Sequence, residues 1–166
     1  MIFVWLAVAA AVVGLDQWTK YLTVLKLKPV GDVPLIEGWL HLDYVENTGA
    51  AFGMLKNQRW LFLVLTTVVV LAMLAYLIWK RRTIHPFLAA GIAMIIGGGI
   101  GNQIDRIARG YVVDMIYVKI IDFAVFNVAD SFVCIGAAFL CIYVLFLYKE
   151  PDKTLTNKKD EMTDAH

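Results

Sequence analysis

The sequence predicts an all-α polytopic membrane protein: four transmembrane helices with a small extracytoplasmic β-rich element. Three observations carry that prediction. Hydrophobic residues make up 60% of the 166-residue chain and charged residues only 17%, the apolar residues fall in four long blocks, and the ionisable residues gather at the ends of those blocks. A soluble chain of this size holds about a quarter of its residues as Asp, Glu, Lys and Arg. With a formal net charge of +1 there is also no basic surface to attract nucleic acid.

The first span is placed at residues 1–25. It opens MIFVWLAVAAAVVGL, meets Asp16, Gln17 and Lys20, and resumes as YLTVLKL. A cleaved leader would open on a basic stretch and end sooner, so this segment is read as a span. Residues 28–59 follow as a long connection. Within it Leu40, Leu42 and Tyr44 alternate ahead of an Asn-Thr-Gly turn signal, which predicts a short strand or small sheet lying on the membrane surface.

The second span, residues 60–79, is WLFLVLTTVVVLAMLAYLIW: uncharged, with a Trp at each end and Lys80, Arg81 and Arg82 directly after it. At 1.5 Å per residue such a block crosses a hydrocarbon core of roughly 30 Å, and Trp favours the headgroup level. A short connection, 80–85, leads to the third span, 86–104. Gly97 and Gly101 fit a close-packing GxxxG step, and without a following Gly-Lys these glycines form no phosphate loop. After a second long connection, 106–127, the fourth span occupies 128–148. Residues 1–150 form one membrane domain, and 151–166 are polar and aperiodic, a disordered cytoplasmic tail.

Lys and Arg sum equally on the two sides of this plan. Their density in the Lys-Arg-Arg connection favours that side as cytoplasmic, with both termini inside. Whatever the orientation, alternating spans bring Asp16 and Lys20, then Asn102, Asp105 and Arg106, then Asn127 and Asp130 to one face, together with both long connections and their Asn47 and Asp114. Asp16 and Lys20 are four apart, while Asn102–Asp105 and Asn127–Asp130 are three apart, so each helix presents a polar stripe. An ionisable group in mid-bilayer costs roughly 2.5–3.5 kcal/mol, so such groups are expected to gather and satisfy one another.

Two readings of the gathering compete. In one the charges are structural: Asp16 pairs with Lys20, Asp105 with Arg106, and Asp130 sits at a helix N-terminus where the dipole suits an anion. In the other they do chemistry, and Asp114 and Asp130 stand out, since neither has a basic residue three or four positions away on its own segment. Elimination narrows the chemistry. Ser131 is the only serine, His41, His85 and His166 have no ligand spacing, and Cys134 and Cys141 form no CxxC, so a Ser-His-Asp set and a zinc site are not expected. Two aspartates in one site cannot comfortably both ionise; one holds a proton while the other draws a proton from water, as in aspartic peptidases, with no metal or cofactor. A Ser-Lys peptidase using Ser131 and Lys20, and a proton-coupled carrier or channel using the same carboxylates, remain as alternatives.

The motifs LDQWTK (15–20), ENTGAAF (46–52), GNQIDR (101–106), GYVVDMI (110–116) and FNVADS (126–131) resemble, in order and spacing, those of the lipoprotein signal peptidases, also called signal peptidase II or prolipoprotein signal peptidase. The resemblance implies an aspartic endopeptidase of the bacterial inner membrane, multi-pass, with both termini cytoplasmic and the active site near the outer leaflet. Its substrates would be diacylglyceryl-modified prolipoproteins presented among membrane lipid, cut just before the lipidated cysteine of the lipobox, and globomycin would inhibit it. By motif, Asp114 and Asp130 match the catalytic pair. Asp16, Lys20, Asn47, Gly49, Asn102, Asp105, Arg106 and Asn127 match site-shaping positions, with Asn47, Asn102, Arg106 and Asn127 expected against substrate or inhibitor. Met115 and the acidic Glu46 depart from the commonest pattern and are expected to tune substrate fit. A GxGD step, the mark of presenilin-like proteases, is absent because Asn102 follows Gly101.

Overall fold

Four helices and a three-stranded sheet divide the chain in the computed structural model, which describes residues 2–49 and 54–148. Met1, residues 50–53, which include the end of the ENTGAAF motif, and residues 149–166, which include the tail expected at 151–166, lie outside the described residues. The helices are α1 (Ile2–Leu22), which continues as a π-helical turn, Thr23–Leu27; α2 (Arg59–Trp79); α3 (Pro86–Ala108); and α4 (Val128–Ile142), extended by a second π-helical turn, Tyr143–Leu147. All four are long and apolar enough to cross a membrane.

Helix α3 is the hub. Its glycines let neighbouring backbones approach: a Cβ added at Gly97 would come within 2.7 Å of the Ala9 carbonyl oxygen, and one at Gly101 within 2.5 Å of Asp16 Oδ2, so the GxxxG face is the seat of α1. Helix α4 packs on another face of α3, and α2 on a third through Leu63, Val70, Leu74 and Leu77. A side-chain staple fixes the last contact, with Gln103 Nε2 donating to Leu63 O (3.2 Å) and Thr67 Oγ1 (3.0 Å).

Strands β1 (Val33–Ile36) and β2 (Leu40–Asn47) come from the first long connection and β3 (Val112–Val118) from the second. They pair antiparallel in the order β1-β2-β3, with Val45 opposite Asp114 and Asn47 opposite Val112. The sheet therefore ties the two long connections together at one end of the bundle, as the alternation of spans requires. Three differences from the sequence reading stand out. Helix α3 runs four residues past the expected end at 104, because Asp105 and Arg106 turn inward on it and do not stop it. Strand β3 lies where only a connection was expected. Asp105 pairs with Lys20 and Arg109 and not with its neighbour Arg106, since adjacent residues on a helix point about 100° apart.

Candidate active site

The site forms where the polar stripes of α1, α3 and α4 meet the sheet. Lys20 is fully buried, and its Nζ lies 2.9 Å from Asp16 Oδ2, 3.3 Å from Asp105 Oδ2 and 2.8 Å from Asn102 Oδ1. The two carboxylates reach outward to backbone: Asp16 Oδ1 accepts the N–H of Ala129 at 3.0 Å, and Asp105 Oδ2 accepts that of Val113, also at 3.0 Å. Those N–H groups belong to the residues immediately before Asp130 and Asp114. Gln17, which motif reasoning did not single out, spans the cluster by donating to Asp16, to Asp105 and to the Gly101 carbonyl.

Asp114 and Asp130 sit one layer further out. Asn127 N-caps α4, its Oδ1 accepting the Asp130 N–H at 2.9 Å while Asp130 Oδ2 accepts the Asn127 N–H at 3.2 Å, a reciprocal capping box. The same Asn127 gives its side-chain N–H groups to Asp114 Oδ1 (2.7 Å) and Asn102 Oδ1 (3.0 Å), and Asn102 Nδ2 donates to Asp130 Oδ1 at 2.7 Å. Asn47 Nδ2 donates to Asp114 Oδ2 at 2.9 Å, its own oxygen held by the Gly49 N–H. Each of the three asparagines thus has its oxygen anchored elsewhere and its NH₂ aimed at a carboxylate.

Burial pushes the Asp114 carboxyl up to about 6, the charge of Asp130 adds to the rise, and the amides of Asn47 and Asn127 oppose it. Arg106 faces the cavity and not Lys20; its guanidinium donates to Gly49 O at 3.2 Å and lies 4.8 Å over the Phe62 ring. Around these groups opens a cavity of about 470 Å³, with Asn47, Asn102, Arg106, Asp114 and Asp130 on its polar side and Phe123, Val125, Phe126 and Val133 on its apolar side.

All ten residues singled out by motif come together. Asn127, expected against substrate, is instead fully buried behind the cavity with every polar group of its amide engaged. Met115 packs with Leu27 and Val113, and Glu46 is an exposed partner of Lys28 and Tyr44; neither lines the cavity. Ser131 Oγ donates to the Asn127 carbonyl at 3.0 Å while Lys20 is engaged by Asp16, Asp105 and Asn102, so the Ser-Lys pairing does not form. Phe123 carried no signal in the sequence, because an apolar residue in a membrane chain is the background, and Phe126 opens the FNVADS motif without having been singled out.

Residues 8–146 match the family model of signal peptidase (SPase) II. The chain is 46% identical over 134 residues to a lipoprotein signal peptidase of Clostridioides difficile, covering 81% of this chain and 89% of that one. It is also 46% identical over 142 residues to the lipoprotein signal peptidase of Caldanaerobacter subterraneus, covering 85% and 95%. The fold is similar to a bacterial membrane enzyme solved by the in meso method at 2.3 Å, with a TM-score of 0.81 and 32% identity over 92% of this chain and 95% of that one.

Proposed function

This chain belongs to the signal peptidase II family, and on that premise we propose that Asp114 and Asp130 jointly activate a water that cuts a prolipoprotein just before the diacylglyceryl cysteine of its lipobox. Membership itself makes the protein a multi-pass membrane aspartic protease that removes signal peptides from prolipoproteins. The residues, the water and the lipid requirement are the proposal. One observation supports it most: two carboxylates border one cavity, share the Asn127–Asn102 amide pair, and among the described residues have only neutral donors at hydrogen-bond distance.

The two carboxylates have different surroundings. Asp114 is 1% exposed and its carboxyl is pushed up to about 6, so its protonated form, favoured below that pH, serves as the acid; half-buried Asp130 stands at the positive end of α4, which suits an anion. Asp130 takes a proton from the water as its oxygen attacks the scissile carbonyl, and Asp114 gives its proton to the carbonyl oxygen. In the collapse of the resulting gem-diol, Asp130 returns its proton to the leaving nitrogen, Asp114 recovers one from a hydroxyl, and the C–N bond breaks. No cofactor takes part. Arg106 stands ready to receive a substrate carbonyl, and the wall of Phe123, Phe126 and Val133 takes the acyl chains from the side.

In this reading both termini are cytoplasmic, the membrane is the bacterial inner membrane, the sheet lies at its outer leaflet, and globomycin blocks the cavity. The test is a gel-shift assay of purified protein on a diacylglyceryl prolipoprotein, its unlipidated precursor and a globomycin-treated control. Cleavage confined to the lipidated form and stopped by globomycin is expected. Equal cleavage of both precursors would remove the lipid from the proposal.

A further inference from the structure

Helices α2 and α4 both pack on α3 but barely touch each other, leaving a furrow between them whose floor is α3. The floor is one stripe, Leu88, Ile92, Ile95, Gly99, Asn102 and Arg106, spaced alternately four and three residues apart and so aligned along one face. It lies between the α3 face that meets α2, through Gln103, and the face that meets α4, through Gly91 and Gly98. Its walls have the same spacing: Phe62, Thr66, Val69, Met73 and Tyr76 on α2, and Val133, Ala137, Leu140 and Val144 on α4 and its π-helical extension.

Each end of the stripe opens into a cavity. At one end Asn102, Arg106 and Val133 line the cavity of Asp114 and Asp130. At the other, Leu88, Ile92, Met73, Leu140 and Val144 line a separate apolar cavity of about 480 Å³, ringed by Tyr76, Tyr143 and Tyr148. From Leu88 to Arg106 the floor measures roughly 27 Å at the rise of an α-helix, close to the thickness of the hydrocarbon core.

We infer that this furrow is the docking surface for the apolar helix of the substrate's own signal peptide, which runs from the scissile bond down between α2 and α4. The inference rests on the peptidase reading and adds where the released segment lies. Three features fit that occupant. The furrow is continuous with the cavity where the bond is cut. Its length accommodates an apolar signal core of 7–15 residues together with its flanks. Its far end presents three tyrosine rings to the basic residues that precede such a core, where cation–π contact favours a positive charge. The exposed apolar residues of α4 and of this side of α2 are then half of an interface that the substrate completes.

The test compares two substrates on the full chain in lipid nanodiscs: a complete diacylglyceryl prolipoprotein, and a short lipopeptide holding only the lipobox and its lipidated cysteine. Ala137→Trp, on the exposed α4 wall, and Met73→Trp, on the α2 wall, each fill the furrow without touching the dyad. Each is expected to raise KM for the complete substrate about tenfold with kcat unchanged, and to leave the short lipopeptide unaffected, which also certifies that the variant is folded. Leu71→Trp, on the opposite side of α2, should change neither. Unchanged KM for the complete substrate in both furrow variants would overturn the inference and leave the furrow to bilayer lipid, and equal losses on both substrates would overturn it in favour of a general packing role. Wild-type protein that cuts neither substrate would instead sink the peptidase reading.

Discussion

Four aspartates converge at one end of this bundle, and a single lysine separates them into two unlike pairs. Asp16 and Asp105 are fully buried, share the ammonium of Lys20 and the amide of Gln17, and each also accepts a backbone N–H, from Ala129 and Val113 respectively. Asp114 and Asp130 follow those two residues directly, and among the described residues neither makes an ion pair; amides and one backbone N–H are their donors. The contrast separates two uses of buried charge. A carboxylate locked to a cation is committed to one protonation state and serves as a strut, whereas one held by neutral donors remains able to exchange a proton. The inner pair positions the outer pair through the chain itself, one residue upstream of each.

The largest effect should come from the outer pair. Asp114→Asn and Asp130→Asn are each expected to lower cleavage at least about 10³-fold in the gel-shift assay, with folding retained. At pH 7.5 Asp114→Asn should melt no lower than the wild type. A carboxyl held near 6 in the fold and near the ordinary aspartate value when unfolded binds its proton more tightly in the fold. The penalty for its ionised form is therefore complete above pH 6 and disappears as pH falls toward 4, and the asparagine never meets it. Full turnover by either variant would erase the distinction between the pairs.

Lys20→Met should reverse the pattern, costing stability first. It leaves Asp16 without a cation and Asp105 with only Arg109, and breaking such a buried pair costs about 3–5 kcal/mol, read as a lower Tm or a loss of folded yield. Adding Asp16→Asn and Asp105→Asn should recover much of that loss; a Lys20→Met protein that melts like the wild type would show that the inner pair is no strut. A finer test is Asn47→Leu, which deletes an amide that stabilises ionised Asp114. The pH above which kcat/KM declines should rise by about half a unit to one unit. An unshifted profile would mean that Asp114 is not the proton holder. Smallest of all, Ser131→Ala and Asp43→Asn should keep cleavage within about twofold of wild type, since the Ser131 hydroxyl is turned to the Asn127 carbonyl and Asp43 lies on β2 outside the cavity.

Much of the helical plan was legible because a bilayer imposes length and polarity together. The uncharged block 60–79 with its terminal Trp residues became α2 within one residue. What escaped the sequence was structure whose signal needs a partner. Strand β3 is buried on both faces along Val112–Met115, so it lacks the alternation that betrayed β2. The end of α3 was read short because Asp105 and Arg106 look like an exit from the membrane until Lys20 and the cavity are there to receive them. Within the site, three- and four-residue spacings announced the polar stripes. The bond from Ala129 to Asp16, 113 positions apart, could be announced by nothing local. Asn127 was recognised by motif, but only the fold shows that its amide is engaged by Asp114, by the Asp130 N–H and by Asn102.

The spacing of Asp16 and Lys20 also bears on how the chain is built. A helix entering the bilayer during synthesis cannot wait for a counter-ion that is translated 85 residues later, as Asp105 is after Lys20, and a lone ammonium would resist partitioning. Four residues apart on α1, the two groups meet within one turn at 2.9 Å, so this helix carries its own neutralising partner into the lipid. Asp105 can then arrive with α3 and find Lys20 already in place, and the order of assembly is written into that single turn.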